Sequence, residues 1–242
     1  MYLNQLPEDI MDRAAKVLNY VDLPDPKNPD VHKTLIFDLD ETLAHCIDTE
    51  DGHTPDFTNQ FSKEPQHHVR IICGHGATDA NQEADSTDEA AINVNSNELA
   101  ARKALADQDE SIIAGINLRP HVRECLAQVA EKYQVGVFTA SHSEYANAVI
   151  DLIDPHGSLI EFRLYREHCY ETNEGIFIKD LRVIRNREMK DMILVDNSVY
   201  SFGFQLDNGV PIIPYFNDPN DQELIYLAQY ALSLSSAEDV RE

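Results

Sequence analysis

The chain has 242 residues, 43 of them Asp or Glu and 19 Lys or Arg, for a formal net charge of −24. That length suits one α/β domain with a sizeable buried core, and the charge argues against a nucleic-acid binder that works through basic phosphate contacts. No run of about 18 apolar residues offers a membrane span, and the start, Met1-Tyr2-Leu3-Asn4-Gln5, lacks the basic-then-apolar form of a signal peptide.

Ile10, Met11, Ala14, Val17, Leu18 and Val21 recur at helical spacing and predict an amphipathic helix over about residues 8–21. Pro24, Pro26 and Pro29 then force an irregular connector, so residues 1–30 read as a helix plus a Pro-rich lead-in. Residues 31–232 read as the main domain. Within it, Thr34-Leu35-Ile36-Phe37 is a run of β-formers ending in Asp38-Leu39-Asp40-Glu41-Thr42-Leu43. That is the pattern of a buried parallel strand whose carboxyl end opens into a crevice. Residues i and i+2 of an extended segment share one side, so Asp38 and Asp40 both reach the crevice. Two carboxylates that close repel, which calls for a divalent cation or for one protonated partner. The plainer alternative is a strand end followed by an acidic helix start.

Residues 69–73 and 112–118 predict two strands of a small hairpin. At its tip lies an acidic insertion, about 74–111, with Asp79, Glu83, Asp85, Asp88 and Glu89 and no aromatic residue. Its composition suits a flexible segment, and spacer, partner contact and substrate lid are open roles. Pro120 predicts the first turn of a helix whose inner face is Val122, Leu126 and Val129. A further strand-like run, residues 135–138, ends in Thr139 and Ser141, hydroxyls that could donate to phosphate oxygens beside a helix start. The next helix begins near Ser143 and stops at Asp154-Pro155-His156-Gly157.

Lys179 follows the apolar Ile176-Phe177-Ile178 and could bring an ammonium to the same crevice. Met192-Ile193-Leu194-Val195 runs into Asp196 and Asn197. Residues 211–214 predict a short edge strand, and Leu224, Ile225, Leu227, Ala228, Ala231 and Leu232 a last helix before a tail at 233–242. Alternating helix and strand signals favour a doubly wound, mostly parallel sheet. Each polar residue at a strand end has an ordinary use as cap, turn or solvated charge. Together, four strand ends carrying acids, hydroxyls, a lysine and an acid-amide pair describe a phosphoryl-transfer site. Cys46, Cys73, Cys125 and Cys169 show no CxxC spacing and read as reduced thiols.

These segments resemble the FCP/SCP-type phosphatases of the haloacid-dehalogenase superfamily, the branch that includes the RNA polymerase II C-terminal-domain small phosphatases. The likeness lies in Phe37-Asp38-Leu39-Asp40-Glu41-Thr42-Leu43, Leu118-Arg119-Pro120-His121-Val122, Phe138-Thr139-Ala140-Ser141, Leu164-Tyr165-Arg166-Glu167-His168-Cys169, Ile178-Lys179-Asp180-Leu181 and Val195-Asp196-Asn197-Ser198. It implies a haloacid-dehalogenase-like α/β fold with a small β-hairpin insertion and no large cap domain. It also implies a Mg2+-dependent protein serine/threonine phosphatase. In that scheme Asp38 is the nucleophile that forms an aspartyl-phosphate, and Asp40 is the general acid and base. Thr139 and Lys179 would hold the phosphoryl oxygens. Asp38, Asp40 (through its main-chain carbonyl) and Asn197 would bind Mg2+, with Asp196 and Thr42 supporting them. The expected substrate is a phosphoserine or phosphothreonine in a proline-containing protein segment such as the polymerase C-terminal domain, with no nucleic-acid or membrane partner. A small-molecule phosphatase of the same superfamily and a non-catalytic docking adaptor are the alternatives. A soluble protein of the nucleus or cytoplasm is expected.

Overall fold

The structure, a computed structural model, describes residues 18–47, 65–72 and 111–242. In chain order the regular elements are β1 (Lys33–Phe37), β2 (Ala44–Ile47), β3 (His67–Ile72), β4 (Ser111–Leu118), α1 (Val122–Val129), β5 (Tyr133–Phe138) and α2 (Ser143–Ile153). They continue with β6 (Phe162–Leu164), β7 (Tyr170–Glu171), β8 (Phe177–Ile178), β9 (Met192–Asp196), β10 (Gly209–Pro211) and α3 (Glu223–Leu234). Five of these strands form a parallel sheet in the order β10-β9-β1-β5-β6. Every residue of β1, β5 and β9 is buried, the polar Lys33, Thr34, Gln134 and Asp196 included, as for strands covered on both faces.

Alternation along the strands divides the core in two. Leu35, Phe37, Val135, Val137, Ile193 and Val195 belong to one apolar cluster with Leu126 of α1, Val149 and Ile150 of α2 and Leu224 of α3. Ile36, Phe138 and Leu194 join Leu181, Val183 and Phe202 in the other. Among the described residues the first face is therefore covered by α-helix, and the second by a 3-10 turn at Leu181–Val183 and by loops. Each large aliphatic or aromatic side chain buried there contributes on the order of 1.5–3 kcal/mol. Gly136 of β5 is required by packing, because a Cβ there would stand 2.2 Å from the Phe162 ring of β6.

The chain leaves β1 toward β5 and β6 on one side, then returns to β9 and β10 on the other. The order reverses at β1, and open α/β sheets bind ligands at the carboxyl ends of strands flanking such a reversal. Topology alone thus selects the tips of β1, β5 and β9.

Several elements depart from the sequence expectation. The expected hairpin exists, with Val69 opposite Ala114, but β2 pairs with the second edge of β4, Ala44 opposite Leu118, making a three-stranded antiparallel sheet. Of the acidic insertion only Ser111 lies within the described residues, where it opens β4. Pro120 is not the first helical residue. His121 takes the left-handed conformation (φ 65°) and α1 starts at Val122. The edge strand is Gly209–Pro211, two residues earlier than expected, and does pair at the sheet edge.

The helix expected over about residues 8–21 does not reach Leu18–Val21; residues 8–17 lie outside the described residues. Val21 instead makes an isolated β-bridge to Ile184. Leu23 N–H donates to Asn186 Oδ1 at 2.9 Å, and its carbonyl accepts from Asn186 Nδ2 at 2.8 Å. The Pro24 carbonyl accepts from Gln134 and Arg187 at 2.9 and 2.7 Å. The prolines hold this segment extended, so its carbonyls stay available to the domain. At the other terminus Val240 is buried and its N–H bonds the Lys190 carbonyl at 2.9 Å, which folds the tail back onto the domain.

Candidate active site

Asp38 continues β1 by one residue, its N–H donating to the Val195 carbonyl at 2.8 Å. Asp196 ends β9, and Lys179 follows β8 with its N–H on the Ser201 carbonyl at 2.7 Å. These backbone bonds aim three charged side chains at one point. The Lys179 ammonium donates to Asp38 Oδ1 and, at 2.6 Å, to Asp196 Oδ2. Exposures are 6% for Asp38, 2% for Lys179 and 1% for Asp196. Buried charges persist only when paired and hydrogen-bonded, so the three depend on one another. Asp196 is held further by the Ser198 N–H, which donates to Oδ1 at 2.8 Å.

With both carboxylates ionised, the group carries two negative charges and one positive one. Burial pushes the Asp38 carboxyl up to about 7, against the pull of Lys179, and Asp196 adds repulsion in the same direction as burial. Burial lowers the Lys179 pKa, but Asp38 and Asp196 outweigh it and keep the ammonium charged. In the fully ionised form the cluster is net negative, and a nearby cation would favour that form.

Asp40 sits on the adjoining turn. Glu41 adopts a left-handed conformation (φ 56°), and the Leu43 N–H closes back on the Leu39 carbonyl at 2.9 Å. The Asp40 carboxylate accepts Ser141 Oγ–H on Oδ2 at 2.7 Å and Tyr145 O–H on Oδ1 at 2.6 Å. Burial raises the Asp40 carboxyl, with the Tyr145 and Ser141 bonds opposing it. Tyr145 is itself pushed well above the usual phenol range, by burial first and then by the Asp40 charge, so it stays a donor.

Thr139 follows β5, and the register Phe37 opposite Val137 sets it beside the Asp38–Asp40 segment. Its Oγ accepts the Ser141 N–H at 3.0 Å. Thr42, fully buried, donates its hydroxyl to Asn197 Oδ1 at 3.4 Å, a long bond. The turn that carries Thr42 is braced from behind by Arg119. Its guanidinium donates to the Thr42 and Ile213 carbonyls and grips Asp221 with two bonds of 2.8 Å.

All seven residues singled out from sequence therefore lie around the tips of β1, β5, β8 and β9. Sequence reasoning missed the direct bond of Lys179 to Asp196, the brace at Arg119, and the part of Tyr145, whose contact with Asp40 joins residues 105 apart. Ser141 stood out as a strand-tip hydroxyl, without its bond to Asp40. The donor set fits a hard divalent cation: carboxylate oxygens of Asp38, an amide oxygen of Asn197 and a main-chain carbonyl at Asp40. Among the described residues no group of three His, Cys, Asp or Glu side chains is placed to hold a metal. A divalent cation held here would draw on those amide and carbonyl oxygens as well as on Asp38.

An aspartate pair thus stands at the switch point of a parallel sheet, with a buried lysine between acidic strand ends. Residues 87–241 match the family described as NLI interacting factor-like phosphatase, and the chain belongs to that family. The matched stretch includes Thr139, Lys179, Asp196 and Asn197 and begins after Asp38 and Asp40. CTD small phosphatase-like protein 3 of Caenorhabditis elegans is 33% identical over 99% of this chain and 66% of that protein. CTD small phosphatase-like protein 2 of Dictyostelium discoideum is 45% identical over 51% of this chain and 21% of its own length. The chain thus spans at most two thirds of either relative. The fission yeast RNA polymerase II CTD phosphatase Fcp1 is a structural neighbour at 16% identity and a TM-score of 0.47, covering 86% of this chain and 52% of the other.

Proposed function

We propose that the chain is a Mg2+-dependent protein serine/threonine phosphatase that works through an aspartyl-phosphate on Asp38. The observation that carries the reading is the buried Asp38–Lys179–Asp196 cluster, with Asp40 held two residues beyond Asp38 by Ser141 and Tyr145. Membership of a phosphatase family supports it. A carboxylate nucleophile needs a neighbouring cation to meet an anionic phosphate, and Lys179 is at hand.

In the first step an Asp38 oxygen bonds to phosphorus as the bond to the leaving oxygen breaks, and Asp40 passes its proton to that oxygen. In the second, Asp40 takes a proton from water as the water oxygen bonds to phosphorus and the Asp38–phosphorus bond breaks, releasing phosphate. Lys179 and Thr139 hold phosphoryl oxygens in place through both steps. Asp38, the Asp40 carbonyl and Asn197 would hold Mg2+, with Thr42 and Asp196 fixing their surroundings. When bound, the ion neutralises charge on the phosphoryl oxygens.

The names of the relatives favour a phosphorylated protein segment as substrate, such as the polymerase C-terminal domain. Among the described residues the hairpin insertion is the small β2–β4–β3 sheet alone, which suits a phosphoserine or phosphothreonine presented on another protein. No described helix is long and apolar enough to cross a membrane. A nuclear or cytoplasmic site suits this reading.

The test is a panel of phosphoserine and phosphothreonine peptides alongside sugar phosphates, each with Mg2+ and with EDTA. Turnover of peptides with Mg2+, lost in EDTA and restored by Mg2+, is the expected result. Turnover confined to sugar phosphates would replace the protein substrate with a metabolite. Full peptide turnover in EDTA would remove the metal, and no turnover of any phosphate would leave a docking adaptor.

A further inference from the structure

Resting on that proposed reaction, we propose that Tyr145, together with Ser141, is a positioning residue that sets the Asp40 carboxyl for proton delivery to the leaving oxygen. Asp40 is the second residue of a tight turn with an isolated β-bridge to Ala44, outside the parallel sheet that fixes Asp38 and Asp196. Its two oxygens are held instead by two hydroxyls from one neighbouring segment, Ser141 Oγ–H at 2.7 Å and Tyr145 O–H at 2.6 Å. The Tyr145 bond is on the short side for O–H···O, as suits a carboxylate acceptor, and the Ser141 bond has the ordinary length.

The segment that supplies them is rigid. Tyr145 lies in the first turn of α2, anchored by Ala146, Val149, Ile150 and Ile153 in the core, and its hydroxyl also meets the Cys46 thiol on β2. Ser141 links two functions, because its N–H donates to the Thr139 hydroxyl at 3.0 Å while its own hydroxyl holds Asp40. The proton donor and a phosphate-binding hydroxyl are thereby fixed to the same three residues. Packing alone does not call for a phenol against this carboxylate, because a Phe would fill the same space.

The chemical consequence follows from proton balance. When the Asp40 carboxyl gives its proton to the departing alkoxide, it becomes a carboxylate, and the two hydroxyls donate to that anion. They stabilise the state in which the leaving oxygen is protonated and Asp38 carries the phosphoryl group. The benefit is greatest for a leaving group that cannot depart as an anion, as in phosphoserine, and small for an aryl phosphate whose phenolate leaves unaided.

The measurement is kcat/KM, which reports steps up to departure of the leaving group, for a phosphoserine peptide and for p-nitrophenyl phosphate. Wild type, Tyr145→Phe, Ser141→Ala, Asp40→Asn and Asp40→Asn/Tyr145→Phe are compared. Tyr145→Phe is expected to lose about 10–100-fold on the peptide and only about threefold on the aryl phosphate, the size expected for removing one bond to a charged group. Ser141→Ala should show the same split, and the double variant should be no worse than Asp40→Asn alone. Equal losses on both substrates in Tyr145→Phe, or a double variant at the product of the two single losses, would overturn the inference while leaving the proposed reaction intact. If Asp40→Asn itself shows no split, or wild type turns over neither substrate, it is the proposed reaction that fails.

Discussion

Replacing Lys179 by Met would leave the Asp38 and Asp196 carboxylates sharing a buried space with no positive charge between them. Removing one partner of a buried ion group costs about 3–5 kcal/mol, far more than a surface pair contributes, because the remaining charges stay out of water. Lys179→Met should therefore lose about that much in denaturant titrations without Mg2+, and recover part of it when Mg2+ is added. Stability equal to wild type in metal-free buffer would show that the cluster is not electrostatically coupled. Most of the site was legible at this scale, because Asp38, Asp40, Asp196 and Asn197 end apolar runs, and a polar residue at the tip of a buried strand has few places to point. Tyr145 was not legible. Its role depends on where α2 docks, and the spacing of residues 143–153 defines an apolar face without saying which polar atom meets Asp40.

Among the elements, α2 shows how a loop end is held as firmly as a strand end. Asp154 closes the helix, and its carboxylate accepts the N–H groups of Ser158, Leu159 and Ile160 at 3.0, 2.8 and 2.9 Å. Burial works against that charge, yet the three backbone donors outweigh it and hold the carboxyl below the usual range. A carboxyl lowered in the folded state adds stability above its unfolded pKa, and that stability is lost as pH falls through the lower folded value. Asp154→Asn keeps one acceptor and turns an amide donor toward N–H groups, at a cost of about 1–3 kcal/mol. The melting-temperature gap between wild type and this variant should hold from neutral pH to about pH 4.5 and narrow below it, starting near the ordinary carboxylate value of about 3.9. A gap independent of pH would mean that the charge is not what Asp154 contributes. Sequence punctuation placed this stop correctly, since Asp-Pro-His-Gly breaks a helix by itself. It placed Pro120 and the 211–214 strand less well. A left-handed His121 delays α1 by two residues, and β10 spans only Gly209–Pro211, its last bond to β9 running from the Ile212 N–H to the Asp196 carbonyl at 3.2 Å. Neither event has a local sequence signal, because each depends on where the partner strand or helix lies. β2 escaped for a related reason: four residues following a tight turn carry too little periodicity to declare a strand until β4 pairs with them.

For the molecule as a whole, the strand order places the reversal at β1, and the acids, the lysine and the hydroxyls converge there from four separate stretches of chain. A chain with a net charge of −24 repels phosphorylated groups, so under the proposed function the attraction is local, from Lys179 and from the cation that the proposal assigns to the crevice. The central claim is that this crevice passes a phosphoryl group through Asp38. The most direct measurement is acid quench of the enzyme during turnover of a phosphoserine peptide with Mg2+, reduction with borohydride, and peptide mass spectrometry. An acyl-phosphate on Asp38 would be reduced to homoserine, so homoserine at position 38 in wild type, and none in Asp38→Asn, is the predicted result. Rapid turnover with no modification at position 38, or undiminished turnover by Asp38→Asn, would contradict it.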